Sequence, residues 1–130
     1  KSAGLNDSII GSKFDDFIIA GQGNDTIRSI AGNNVIQPGP GDDLVKLGRG
    51  KNLIWITKNQ LSRGIDTLRG FDRDDMIVID VPSPEKIILD GVNTKQLQLN
   101  YLNKNNTDQL TPMLSLNFEL PIRSDQIEFI

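Results

Sequence analysis

A nine-residue repeat constrains this chain more than any other feature. Written from Ser2, the sequence reads SAGLNDSII, GSKFDDFII, AGQGNDTIR, SIAGNNVIQ, PGPGDDLVK, LGRGKNLIW, with no insertion or deletion across residues 2–55. The sixth position is Asp or Asn each time: Asp7, Asp16, Asp25, Asn34, Asp43 and Asn52. The eighth is apolar and β-branched each time: Ile9, Ile18, Ile27, Ile36, Val45 and Ile54. The fourth is Gly in the last four repeats, at Gly23, Gly32, Gly41 and Gly50. Asp and Asn together make up about one fifth of the chain. Six in a row at fixed spacing then has odds of roughly one in ten thousand, so chance is a poor explanation.

Residue type dictates what one unit can do. Gly at positions two and four permits the positive φ of a tight turn. The Asp or Asn at position six closes that turn and offers a side-chain oxygen. Positions seven to nine form a short strand whose β-branched middle residue points to one side. One such strand cannot bury its apolar residue, but stacked strands can, so the repeats coil into a parallel β-helix. Two repeats make one coil, and coils stack about 4.8 Å apart. Ile9, Ile27 and Val45 then form one apolar ladder, and Ile18, Ile36 and Ile54 face it from the other sheet.

The pattern resembles the RTX (repeats-in-toxin) consensus G-G-x-G-x-D-x-U-x, where U is a large apolar residue. The best matches are Ala20-Gly21-Gln22-Gly23-Asn24-Asp25-Thr26-Ile27-Arg28 and Pro38-Gly39-Pro40-Gly41-Asp42-Asp43-Leu44-Val45-Lys46. The resemblance implies an all-β fold, a parallel β-roll, with calcium between turns stacked on one edge. It implies one site from the carbonyls of Gly21 and Gly23 with the carboxylate of Asp25, joined by the carbonyls of Pro38 and Pro40 and the carboxylate of Asp43. Six oxygens with two formal charges suit calcium. A second site on that edge would use Ala3, Leu5 and Asp7 with Ala20, Gln22 and Asp25; there Leu5 stands where the consensus has Gly. The opposite edge holds Asp16, the one carboxylate assigned to metal there, with Asn34 and Asn52. Phe14 and Ile30 replace its consensus glycines. Stacked Asn residues read equally as an amide ladder along the coil.

The repeat breaks after Trp55, which reads as a residue packing the coil end. Residues 1–56 are thus the β-roll, and residues 57–130 a C-terminal β cap with flanking strands. Residues 64–80 resemble the strand-turn-strand that closes RTX blocks, through Asp66-Thr67-Leu68-Arg69-Gly70-Phe71. An open coil end exposes Ile54 and a strand edge, so it needs a cap. Asp66, Asp72, Asp74 and Asp75 read as solvated turn acids, with donation to a last calcium as the alternative. Further on, Leu97, Leu99 and Tyr101 share one face, and Leu114, Leu116, Phe118 and Leu120 another. The polar stretch from Asn103 to Pro112 between them predicts an antiparallel hairpin, with a final strand near Gln126–Ile130 and no helix.

Composition narrows the chemistry. The chain has no Cys and no His, which removes thiol nucleophiles, disulfides and the usual zinc sites. Oxygen donors remain, and these favour hard cations. Net charge is −3, yet residues 1–56 hold six acidic and six basic groups, so a metal argument rests on where the Asp residues sit. No basic stripe interleaved with aromatics points to nucleic acid. No apolar run approaches the roughly 20 residues of a membrane span. No signal peptide is recognised, and the chain opens inside its patterned region, which reads as a fragment. No nucleophile–base motif or P-loop is present, so the chain reads as a non-enzyme.

The reading that follows is a calcium-binding module that folds on binding Ca2+. The resemblance further implies a secreted bacterial protein, exported unfolded through a type I machinery. The closing Ile127-Glu128-Phe129-Ile130 resembles the terminal tetrapeptide of type I substrates. The alternatives are a glycan-binding or cell-surface adhesion module, or the non-catalytic tail of an exported enzyme or toxin.

Overall fold

The computed structural model describes residues 5–57, 64–81, 87–102 and 110–130. The repeats give three-residue strands, as their short apolar segments require: β1 Ser8–Ile10, β2 Phe17–Ile19, β3 Thr26–Arg28, β4 Val35–Gln37 and β5 Leu44–Lys46, then a longer β6, Leu53–Thr57. Odd strands stack in one sheet and even strands in the other, all parallel. The middle residue of each points inward. Ile27, Ile36, Val45 and Ile54 are fully buried, while both neighbours in β3 are exposed.

The roll does not stop at Trp55. β7, Gly64–Arg69, stacks parallel on β5, and β8, Met76–Asp80, stacks parallel on β6. Earlier coils pair residues 18 apart, but here the separation is 23. Five extra residues therefore lie between β6 and β7, after which the repeat resumes. Gly64, Asp66 and Leu68 hold positions four, six and eight of a seventh repeat; Asp75 and Ile77 hold six and eight of an eighth. Leu68 and Ile77 are fully buried and extend both apolar ladders. The predicted strand-turn-strand of residues 64–80 is thus a fourth coil, its two strands facing each other across the core. The sheets run unbroken past residue 56.

Beyond the coil come β9, Ile87–Asp90, β10, Gln96–Leu102, and β11, Leu110–Phe118. β10 pairs antiparallel with β11, as the predicted hairpin requires, and also antiparallel with β9. β11 also pairs with β7, and this contact is parallel. The last strand, β12, Ile127–Phe129, lies parallel on β8. The cap therefore mixes antiparallel pairs with two parallel ones, because it closes the exposed edges of two parallel sheets. The result is a seven-stranded sheet, β1-β3-β5-β7-β11-β10-β9, facing a five-stranded sheet, β12-β8-β6-β4-β2.

The cap adds its own apolar layer. Leu97, Leu99, Leu114, Leu116 and Phe118 are buried, and Phe118 packs on Phe71 with ring centroids 4.9 Å apart. Leu120 departs from the expected face and is exposed, since β11 ends at Phe118. Among the described residues a 3₁₀ turn, Ser124–Gln126, forms where no helix was expected. Trp55 lies inside the roll's even sheet instead of at its end. Its indole N–H donates to Asp80 at 3.1 Å, and its ring stacks over Phe17.

Ile36 sits at the centre of the even ladder with no accessible surface. Ile36→Ala is expected to destabilise the protein by about 2–5 kcal/mol, the range for a buried cavity. Denaturant unfolding measures it; a loss under about 1 kcal/mol would show that the thin core collapses around the gap.

Candidate metal centre along one edge of the roll

Each turn places its sixth residue at an edge of the roll, directly above its counterpart one coil earlier. The odd edge carries Asp7, Asp25, Asp43 and Asp66. One bond repeats along it: the backbone N–H of each rung donates to Oδ1 of the next. Asp7 N–H reaches Asp25 at 2.8 Å, Asp25 N–H reaches Asp43 at 2.8 Å, and Asp43 N–H reaches Asp66 at 2.9 Å. Asp25, Asp43 and Asp66 are essentially inaccessible to solvent. The reading of Asp66 and Asp75 as solvated turn acids fails, since both are fully buried, while Asp72 and Asp74 are exposed as expected.

The second oxygen of these carboxylates is the unusual feature. Oδ2 of Asp7, of Asp25 and of Asp43 is buried and accepts no hydrogen bond. Leaving a buried charged acceptor unmatched costs more than leaving a neutral one. Burial pushes the Asp43 carboxyl up to about 8; the Asp25 N–H works against this, and the Asp66, Asp25 and Asp42 carboxylates add to it. A stack of buried, mutually repelling carboxylates favours a proton or a cation.

The backbone around this column is stacked without slack. Gly23 and Gly41 have φ of 112° and 124°, and a Cβ on Gly41 would collide with the Gly23 carbonyl oxygen. Gly23 lies over the Leu5 carbonyl in the same way, and Gly64 over that of Gly41. Leu5 is accommodated because its own side chain faces solvent in the first described turn. Gly39 likewise lies over the Gly21 carbonyl. Pro38 and Ala20 are buried at the turn, Pro40 is half-buried, and Gln22 is exposed. The expected ligands Gly21, Gly23, Asp25, Pro38, Pro40 and Asp43 therefore fall on two successive turns of one edge. Ala20 and Gln22 belong to the first of these turns, and Leu5 and Asp7 to the turn one coil earlier; Ala3 lies outside the described residues. Among the described residues no three acidic side chains converge on one point. A cation here would rest on paired carboxylates and backbone carbonyls, a donor set that suits calcium.

The even edge is chemically different. Asp16 is engaged by its own turn, accepting from Ser12 N–H at 2.7 Å and from Ser12 Oγ at 3.0 and 3.1 Å. The Asn34 amide nitrogen donates to the carbonyls of Ala31 and Gly32 at 3.2 and 3.3 Å and to Asn52 Oδ1 at 3.0 Å. The Asn52 amide nitrogen does the same toward Gly48, Gly50 and Asp75 Oδ1. Burial raises the Asp75 carboxyl to about 6, with the Asp72 and Asn52 N–H groups holding it down.

Position five carries a further ladder that the sequence reading did not single out. Its bonds run the opposite way: Asn24 N–H donates to Asn6, Asp42 N–H to Asn24 and Ile65 N–H to Asp42 on one edge; Asn33 N–H donates to Asp15 and Lys51 N–H to Asn33 on the other. The signal was an Asp or Asn at that position in five consecutive repeats. The Asp66 and Asp75 rungs had a signal too, their nine-residue separation.

The comparisons agree with this architecture. The RTX calcium-binding nonapeptide repeat matches in four copies, over residues 3–36 and 31–54. No curated protein sequence matches the chain. Among solved structures, the AlgE6R3 subunit of the Azotobacter vinelandii mannuronan C5-epimerase superposes with a TM-score of 0.66 at 18% identity, covering 98% of this chain and 80% of that one. The AlgE6R2 subunit of that epimerase gives 0.54 at 16% identity, covering 93% and 91%. At these identities the likeness is one of fold.

A carboxyl with a raised folded-state pKa holds its proton more tightly folded than unfolded. Asp43 and Asp75 therefore favour the fold at low pH, and their contribution fades as pH rises through about 6 for Asp75 and about 8 for Asp43. In chelator, the melting temperature is expected to fall between pH 5 and pH 8, and Asp43→Asn to flatten that slope. A melting temperature that climbs over this range in chelator would contradict the assignment.

Proposed function

We propose, from the premise that residues 3–54 are a block of RTX calcium-binding nonapeptide repeats, that this chain is a module whose folding is completed by calcium on the odd edge of its roll. The observation that carries the reading is the row of three buried, unmatched oxygens on Asp7, Asp25 and Asp43. Asp25 and Asp43, with the carbonyls of Gly21, Gly23, Pro38 and Pro40, would hold one ion. Asp7 and Asp25, with the carbonyls of Ala3, Leu5, Ala20 and Gln22, would hold another. Asp16 is left out, because Ser12 already satisfies its carboxylate. Calcium supplies positive charge to the column; the chain supplies the register that brings the oxygens together.

The core is too thin to hold the coils alone. Each repeat adds one inward residue, and loop entropy opposes ordering the glycine turns. Metal affinity is then folding free energy. A chain of this kind suits export unfolded and folding outside the cell, where calcium is abundant; the type I route and an extracellular location belong to this proposal. No helix among the described residues is long and apolar enough to cross a membrane.

A second reading, an acidic-glycan surface, is favoured by one feature. Arg28, Lys46 and Arg69 are register partners on adjacent strands and are all exposed on the outer face of the odd sheet. Mannuronan, which stands in the name of the neighbours' parent enzyme, is such a glycan. A glycan array on calcium-loaded protein tests it, with no acidic glycan bound by wild type as the rejecting result.

Far-UV circular dichroism in chelator and in calcium tests the principal reading. Calcium is expected to raise both the β signal and the melting temperature. Asp25→Asn is expected to weaken calcium binding about tenfold or more, equal to about 1.4 kcal/mol, because Asp25 stands between two rungs. Identical spectra and melting in both conditions would sink the idea.

A further inference from the structure

The two edges of the roll solve one geometric problem with different atoms. On the odd edge, Oδ1 of Asp25 accepts the N–H of Asp7 at 2.8 Å. On the even edge, Oδ1 of Asn34 accepts the N–H of Asp16 at 2.8 Å. Asn and Asp have the same shape, so once Oδ1 is fixed the remaining atom is fixed as well. On the odd edge that atom is an unmatched Oδ2. On the even edge it is Nδ2, surrounded by oxygens.

For Asn52 these oxygens are Asp75 Oδ1 at 3.1 Å, the Gly48 carbonyl at 3.3 Å and the Gly50 carbonyl at 3.5 Å. Two come from positions two and four of its own turn. Those are the positions whose carbonyls, at Gly21 and Gly23, are assigned to calcium on the odd edge. An amide has two N–H groups and no formal charge, so it binds such oxygens without a metal.

We infer that the even edge is closed by the Asn34 and Asn52 amides in place of a cation, that calcium uptake belongs to the odd edge, and that Asn52→Asp opens a calcium site on the even edge. The inference rests on the calcium reading of the odd edge and adds to it a division of labour between edges. Asn52 is the informative position because the next rung, Asp75, is already a carboxylate. In Asn52→Asp, one new oxygen keeps the bond donated by Asn34 Nδ2. The other replaces the amide nitrogen and faces Gly48 O, Gly50 O and Asp75. Four oxygen donors carrying two formal charges then converge, and a hard divalent cation is the group that matches them.

Equilibrium dialysis against calcium, on the full chain, gives the number of ions bound by wild type, Asn52→Ala and Asn52→Asp. Asn52→Ala is expected to keep the wild-type number while melting at lower temperature. Asn52→Asp is expected to bind one ion more, and its melting temperature to depend more steeply on calcium. Loss of an ion in Asn52→Ala, or no gained ion in Asn52→Asp, would overturn the inference. Where Asn52→Ala fails to fold in calcium, Asn34→Ala carries that arm with the same outcomes. A wild-type chain that binds no calcium would reject the odd-edge reading; the gained ion in Asn52→Asp would still decide the even edge.

Discussion

One hydrogen bond organises this molecule: the N–H of a sixth-position residue donating to the side-chain oxygen one coil above, made by Asp7, Asp16, Asp25, Asp43 and Asn52, with the Asn34 side-chain amide joining Asn34 to Asn52 in its place. It sets the register between coils, because a slip of one residue would leave a buried N–H and a buried acceptor unmatched. It also explains why the strands can be so short. Three residues give few ladder bonds, and the Asp or Asn adds one more at the point where the strand meets the turn. The backbone supports the same joint, with Leu44 N–H donating to the Asp25 carbonyl and Thr67 N–H to that of Asp43. The fifth-position ladder, running in the opposite sense, locks the outside of each turn. On the odd edge each joint is thus clamped in both directions along the roll axis.

The clamp works only because the turns leave no space between coils. A side chain on Gly41 would strike the Gly23 carbonyl, and one on Gly50 would strike that of Gly32. Close approach brings carbonyl oxygens and position-six side chains of successive coils to one line, which is both the architecture and the origin of the chemistry. Phe14 and Leu5 show where the rule relaxes. Both take the fourth position of first-coil turns, and their side chains project into solvent. The fourth-position glycine of repeats three to seven is therefore a demand made by stacking on the coil before, and the first coil escapes it.

Much of this was legible in the residues. The period, the inward column of Ile and Val, the coil of 18 residues and the two unlike edges follow from counting in nines. Three parts were not. The fourth coil was hidden by five extra residues, which shift the phase although Asp66 and Asp75 keep the spacing. The fifth-position ladder was hidden because the consensus leaves that place unspecified, whereas Asn6, Asp15, Asn24, Asn33 and Asp42 occupy it in order. The parallel contacts of β11 with β7 and β12 with β8 have no local signature. Alternating apolar residues announce a strand and its buried face. Its direction against a neighbour depends on which sheet edge remains open when it arrives, and that is a property of the whole roll.

The balance of charge in the repeats resolves along the same lines. Their acids and bases are equal in number, yet no ion pair joins them among the described residues. Arg28, Lys46 and Arg69 stand on an outer sheet face, while Asp25, Asp43 and Asp66 are sealed inside the turn edge. The ion pair between Arg123 and Asp125 lies elsewhere, in the cap. Bringing a long cationic side chain into the column would need space that the stacked glycines deny. The column can be matched only from within, by an amide, or from without, by something as small as a proton or a metal ion. At each rung the choice between Asn and Asp is the choice between these two. It changes a single atom, NH2 for O−, in a joint that is otherwise the same, so the fold can place metal dependence rung by rung while its register stays constant.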